Sequence, residues 1–295
     1  MNKKVLEDFY LLSDYLYKDG RIKDSEKYKK DFSAFLLHAG HIKAYDFVAP
    51  FCRDKKVLDI GCFIGYGETR LSLQAKEIIA IDTDDRVLEF ARKTRVVPNV
   101  KFQKVDARRL PFPKETFDIV IAFQLLEHIP KNEARSFLSE VKNVLKKKGL
   151  LFITTPNRKF RLMPFQRPFN PEHYQEFTAK SLLKILKTTF GDVKIMGIRT
   201  KEWIEKIEKE RVGKSFCRAY IREPLNMVLP VGIKKPVQKI KSRIIKLLQR
   251  TESQALNGDE QFNNLFQKFS MNDFYLEKRR DLIEKSLNLF AICKK

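Results

Sequence analysis

The chain has 295 residues, of which 43% are hydrophobic and 33% charged, with a formal net charge of +22. That size and apolar content suit one large domain or two small ones and exclude global disorder, and no apolar run approaches the ~18 residues of a membrane-spanning helix. The basic excess points to a polyanionic partner (nucleic acid, anionic lipid or a phosphate-bearing substrate), against the plainer alternative of a solvated Lys/Glu-rich surface.

Residues 1–50 carry 9 Lys/Arg against 8 Asp/Glu and read as helices, with apolar residues near helical spacing in VLEDFYLLSDYL and FSAFLLHAGHIKAYDFV. The first twenty residues mix acid and base and lack an apolar core with a small-residue cleavage site, so no signal peptide is expected. Cys52, Cys62, Cys217 and Cys293 are scattered without metal spacing, as in a reduced cytoplasmic protein. From Lys56 the pattern changes. VLDI reads as a buried strand, Glu68 to Gln74 as a helix, EIIAID as a strand and Asp85 to Lys93 as a helix. VKFQKVD and FDIVIAF are strands. Asn132 to Lys147 is an amphipathic helix stopped by Gly149, and LLFITT a further strand. Ala179 to Thr188 is a helix, DVKIMGI a strand, and SLNLFAICKK closes the chain as a seventh. Strands alternating with helices predict an α/β fold: a doubly wound, mostly parallel, seven-stranded sheet covered on both faces. The expected units are an N-terminal helical cap over 1–55, a core over 56–198 and 286–295, and a basic helical insertion over 199–285.

Ligands of open α/β sheets sit beyond the carboxyl ends of the strands. There the chain reads VLDIGCFIGYG, with Gly61, Gly65 and Gly67 in the first turn. Glycine permits left-handed backbone and close approach of a ligand. The spacing does not fit GxGxxG, although Asp82 stands 21 residues after Gly61, where a carboxylate can accept from ribose hydroxyls. Asp106, after the third strand, can accept from an adenine amine. Asp59, ahead of the glycines, would repel a pyrophosphate and welcome an ammonium. Together the three acids describe an adenosine ligand with a cationic tail and no phosphates. Each has a plainer role available: Asp82 as a helix cap, Asp106 as a turn residue and Asp59 as a support for the loop.

VLDIGCFIGYGETRLS, IIAIDTDDRVLEFARK and VDARRLPFPKETFDIVIAFQLLEHI resemble the successive motifs of class I S-adenosylmethionine-dependent methyltransferases. The resemblance covers about 56–198 and the closing strand. It implies a Rossmann-like methyltransferase fold, S-adenosylmethionine as cofactor, and cofactor contacts from Asp59, Gly61, Gly65, Asp82, Asp106 and Gln124. The usual DxGxGxG loop has Phe63 at its middle position here. NPEHYQEFTAKSLLKIL is similar to the NPxHxxEFT segment of the small-molecule "type 11" group, and HIKAYDFVAP to its cofactor-covering helix, which adds Tyr45 beside His41.

Methyl transfer from a sulfonium is an in-line displacement in which the protein aligns the nucleophile and a base takes its proton. His128, in FQLLEHIP, is one candidate base, and helix-start bonding to backbone is its plainer role. His173 is the preferred catalytic histidine, in the long loop TTPNRKFRLMPFQRPFNPEHYQEFT with Tyr174 and Glu176. Some related quinone O-methyltransferases hold a divalent metal in the FQLLEH region, and the first of their acids is Gln124 here, so no metal is expected.

Residues 199–250 carry 15 Lys/Arg against 5 Asp/Glu. Within them, 226–250 places Val237, Ile240, Ile244, Leu247 and Leu248 on one helical face among lysines and arginines. Such a helix either packs on its own domain or lies on an anionic membrane surface, a peripheral contact at the inner face. Trp203 and Phe216 are candidates to flank a substrate mouth. The reading is methyl transfer to a small-molecule, sugar or lipid-linked acceptor at oxygen. Its rivals are an RNA methyltransferase, which the charge favours but the missing (D/N)PPY motif does not, and a non-catalytic adenosine-binding module.

Overall fold

The computed structural model describes residues 32–162, 166–168, 170–217 and 269–295. Helix α1 (Phe32–Val48) and a 3-10 turn (Ala49–Cys52) lead into the sheet. There follow β1 (Lys56–Ile60), α2 (Glu68–Leu71), β2 (Glu77–Asp82), α3 (Asp85–Thr94), β3 (Val100–Lys104), β4 (Phe117–Phe123), α4 (Ala134–Val144) and β5 (Leu145–Pro156). Next come α5 (Arg158–Arg161), α6 (Ala179–Leu186), β6 (Asp192–Arg199), α7 (Glu202–Cys217), β7 (Tyr275–Glu277), α8 (Arg280–Ile283) and β8 (Asn288–Lys294).

The strands form one sheet in the order β3-β2-β1-β4-β5-β8-β6-β7. β1 to β5 pair in parallel, and β8 lies antiparallel between β5 and β6. Among the described residues there are eight strands against the expected seven. The additional one, β7, pairs antiparallel with the edge of β6 and comes from the segment read as mostly helical. Residues 226–250, where a basic amphipathic helix and a membrane contact are expected, lie outside the described residues.

Both faces of the sheet are buried, as the alternation predicts. Val57, Ile78, Ala80, Ile119, Ile121 and Phe152 point into one cluster with Leu36, Ile42 and Val48 of α1 and Val87 and Leu88 of α3. Their neighbours Leu58, Ile79, Ile81, Val120, Leu151 and Ile153 point into the other, with Phe137, Leu138 and Val141 of α4 and Leu182 and Leu186 of α6. The caps are local. Asp84 accepts from the Arg86 amide and starts α3, and Thr178 makes a reciprocal capping box with Ser181 at α6. The helix expected to run to Lys147 ends at Val144, because Leu145 already pairs with Phe117 as strand. The segment before β8 is anchored by buried Asn157, whose Nδ2 donates to the carbonyls of Ser286 (2.8 Å), Ile283 (3.2 Å) and Glu284 (3.2 Å).

Candidate active site

The glycine loop leaves β1 with the Gly61 amide donating to the Ile81 carbonyl at 2.8 Å. Gly61 (φ +79°) and Gly65 (φ +74°) take left-handed backbone, the reason for glycine at both. Gly67 is needed for another reason. A Cβ there would lie 2.3 Å from Cε1 and Cζ of Tyr45, so the glycine makes room for the tyrosine ring. Phe63 is also left-handed, at φ +52°, a conformation that costs a side chain roughly 1–2 kcal/mol. Its amide donates to Asp82 Oδ2 at 3.1 Å, so the acid ending β2 holds the loop in this shape. Asp82 Oδ1 accepts from the Asp84 amide at 3.0 Å. A carboxylate has about four acceptor sites, which leaves capacity for the expected ribose hydroxyls. The helix cap is Asp84, not Asp82.

Asp59 is fully buried behind the loop and accepts from the Tyr45 hydroxyl at 2.9 Å. Tyr45 is itself buried, edge-on to Tyr66 and Phe123, so α1 packs against the loop. Burial pushes Asp59 up to about 7 and Tyr45 well above the usual phenol range. Beside Asp59 stands Glu68, also fully buried, with both carboxyl oxygens lacking a donor. Sequence reasoning missed Glu68. An acid at a helix start looks like a solvated first-turn residue, and only packing shows it inside.

The other expected cofactor contacts are placed differently. Asp106 follows β3 at the same sheet edge, but its carboxylate is about 42% exposed and faces the Arg108 guanidinium at 2.7 Å. That pairing, chiefly, lowers its pKa below the usual carboxylate range. Gln124 ends β4 with φ +51°, and its Nε2 donates to Thr154 Oγ1 at 3.1 Å. Gln124 thereby ties the end of β4 to β5. His41 of α1 is buried, and its pKa drops to about 4, first through burial and then through nearby Arg161.

The two candidate histidines, 45 positions apart in the chain, meet edge to face with ring centroids 4.7 Å apart. His128 ends a 3-10 turn (Leu126–His128) after β4, and burial, then His173, lowers its pKa. His173 Nδ1 lies 3.2 Å from Glu176 Oε1, and both side chains are nearly buried. The Tyr174 amide donates to the Glu127 carbonyl at 2.9 Å, which docks the long loop against the end of β4. Glu127 is fully buried, and burial raises its pKa to about 7. His173 lines an open cavity of about 600 Å³ with Lys131, Arg158, Arg167, Asn170 and Tyr174. Trp203 instead packs against the α1 side of the core. The Phe216 side chain lies outside the description. Glu127, His128 and His173 each bring a donor atom within 4.8 Å of the others. One carboxylate with two imidazoles is a donor set that suits a divalent ion such as zinc, and it needs no acid at Gln124, on which the expectation of no metal rested.

A family profile described as a methyltransferase domain matches residues 58–153, the span from β1 through β5. That span matches a methyltransferase domain, and the sheet has the fold seen in S-adenosylmethionine-dependent methyltransferases. The chain is 34% identical over 159 residues to a probable S-adenosylmethionine-dependent methyltransferase of Mycobacterium tuberculosis, an alignment covering 54% of this chain and 57% of that protein. The chain thus spans a little over half the length of this curated relative. Among solved structures it is similar to an S-adenosylmethionine-dependent methyltransferase of Thermotoga maritima (TM-score 0.52, 14% identity, 92% of this chain and 98% of that one). It is also similar to an S-adenosylmethionine-dependent methyltransferase of Archaeoglobus fulgidus (TM-score 0.51, 18% identity, 92% of this chain and 97% of that one). At these identities the structural likeness speaks for the fold alone.

Proposed function

We propose that the protein transfers a methyl group from S-adenosylmethionine to a hydroxyl of a small-molecule, sugar or lipid-linked acceptor. The observation that carries this reading is the His128–His173 pair beside a polar cavity at the carboxyl edge of the sheet. The residues present fit the cofactor. Asp82 holds the loop and keeps acceptor capacity at the end of β2, and buried Asp59 at the end of β1 keeps a carboxyl oxygen without a donor.

When bound, S-adenosylmethionine supplies a methyl group on a sulfonium leaving group. The chain's own residues do the rest. The open cavity would hold the acceptor with its hydroxyl beside His173. With its proton on Nδ1, toward Glu176, His173 keeps Nε2 as the acceptor nitrogen for the hydroxyl proton. His128, whose lowered pKa keeps it neutral near pH 7, can relay that proton onward. Lys131, Arg158 and Arg167 give the cavity a positive lining. The test is a purified-protein incubation with methyl-labelled S-adenosylmethionine and a fractionated cell extract. Label in a small-molecule, glycan or lipid fraction is expected. Label removed by ribonuclease, or no turnover with any fraction, would overturn the reading.

A further inference from the structure

The cavity beside His173 carries an uneven charge. Lys131 follows the 3-10 turn that ends at His128, Arg158 opens α5, and Arg167 lies on the long loop, so three segments bring cations to one cavity. The lining holds one acid, Glu176, and its Oε1 is already 3.2 Å from His173 Nδ1. At the neighbouring ends of β2 and β3 the cations are matched, Arg86 by Asp84, Lys104 by Asp85 and Arg108 by Asp106. Among the described residues, Lys131 and Arg158 have no such acid. Arg158 Nη2 donates to the Gln166 carbonyl at 3.1 Å, which fixes the guanidinium against the loop and leaves most of its N–H donors for a ligand. Two further atoms await partners. Gln175 Nε2 and Glu176 Oε2 are buried without a hydrogen bond, and both residues line the cavity. Buried polar groups ordinarily find partners, so a donor and an acceptor left over in a cavity wall mark where a ligand supplies them. Tyr174, 60% exposed, presents an aromatic ring to the same cavity.

We propose that the methyl acceptor is a sugar phosphate, soluble or lipid-linked, whose phosphate is held by Lys131, Arg158 and Arg167 while one of its hydroxyls reaches His173. This rests on the reading of the cavity as the acceptor site and names what enters it. Three cations around one cavity repel one another. A phosphate monoester, with roughly −1.5 to −2 charge near pH 7, offsets that repulsion where a carboxylate offsets only part of it. Its oxygens also match the fork of an arginine, two N–H groups to two oxygens. The rest of the lining suits a sugar. Glu176 Oε2 accepts from a second hydroxyl, Gln175 Nε2 donates to a hydroxyl or ring oxygen, and the Tyr174 ring packs on the sugar's C–H face. At about 600 Å³ the cavity has room for a sugar together with its phosphate.

The test uses the full chain and two probes, glucose 6-phosphate and glucose. The chain has four histidines, so the imidazole signals of isotope-labelled protein are few, and the one lost in His173→Gln belongs to His173. That signal should shift saturably with glucose 6-phosphate and stay in place with glucose at equal concentration. Lys131→Glu, at an exposed position, and Arg158→Gln should each weaken the phosphate probe by about tenfold, with an unchanged circular dichroism spectrum for the lysine variant. No shift with glucose 6-phosphate, an equal shift with glucose, or full affinity in both variants would overturn the inference. In a second arm, cell extract is treated with phosphatase and phosphodiesterase, cleared of both, and incubated with the protein and methyl-labelled S-adenosylmethionine. Label uptake should fall to background. The labelled product of untreated extract should enter the aqueous phase for a soluble acceptor and the organic phase for a lipid-linked one. Undiminished uptake into a neutral small molecule would overturn the inference and leave methyl transfer standing. Label removed by ribonuclease would overturn both. No uptake with any untreated fraction would overturn the methyl-transfer reading, and the phosphate titration would still decide what the cavity binds.

Discussion

Replacing Gly65 with alanine probes the loop where two separable costs meet. The first is conformational. At φ +74° a side chain costs roughly 1–2 kcal/mol. The second is steric. The new Cβ would sit 2.7 Å from Cζ and 2.9 Å from Cε1 of Phe102, and 3.3 Å from Cγ of Arg95. Because Phe102 is a β3 side chain packed against the core, the ring must shift, and overpacking of this kind costs about 1–3 kcal/mol. Alanine recovers ~0.4–1 kcal/mol by restricting the unfolded chain. The expected net loss is about 2–3 kcal/mol, read from urea unfolding followed by circular dichroism. Phe102→Ala supplies the control, since without the ring the conformational cost remains with only the flexible Arg95 side chain, at 3.3 Å, to give way. In that background Gly65→Ala should cost about 1 kcal/mol, a coupling of ~1–2 kcal/mol between the two positions. Gly191→Ala, with nothing within 4 Å of its Cβ, should change stability by less than about 0.5 kcal/mol. A Gly65→Ala loss below ~0.5 kcal/mol, or one equal in both backgrounds, would refute this account of the loop.

Asp82→Ala should weaken S-adenosylhomocysteine binding by roughly 1–3 kcal/mol in calorimetry, because it removes both an acceptor and the carboxylate that holds Phe63; unchanged affinity would remove Asp82 from the site. His173→Ala should lower turnover by about 10²–10⁴ while leaving S-adenosylhomocysteine affinity unchanged, and an equal loss of affinity would make the histidine structural. Dialysis against a chelator should leave turnover unchanged if the histidines move protons; a loss restored by zinc would make Glu127, His128 and His173 a metal centre. Asn157→Ala should destabilise the protein by about 1–3 kcal/mol in urea unfolding, since it removes the Nδ2 donor from the buried Ser286 carbonyl and the part-buried Glu284 carbonyl, while Ile283 keeps its bonds from Ser286.

The sequence by itself determined whatever a local period or a short-range rule controls. Strand alternation in EIIAID and FDIVIAF, the glycines after VLDI, and the acids ending β2 and following β3 were legible because each depends on neighbours a few positions away. So were α6 and the mostly parallel winding of the sheet, since strands joined through helices return in parallel. The tertiary structure alone decided the rest. Nothing local announces that Tyr275–Glu277 adds an eighth strand, because its three residues gain their pairing only from the edge of β6. Nothing near His128 names His173 as its neighbour, and the docking of the long loop through the Glu127 carbonyl brings them together. Asp106 and Glu68 exchanged the roles their residue type suggested. The first pairs with Arg108 in solvent, while the second is fully buried with no donor to either carboxyl oxygen. Burial and electrostatic partnership are properties of where distant segments meet, and they decide which carboxylates carry charge and which hold a proton.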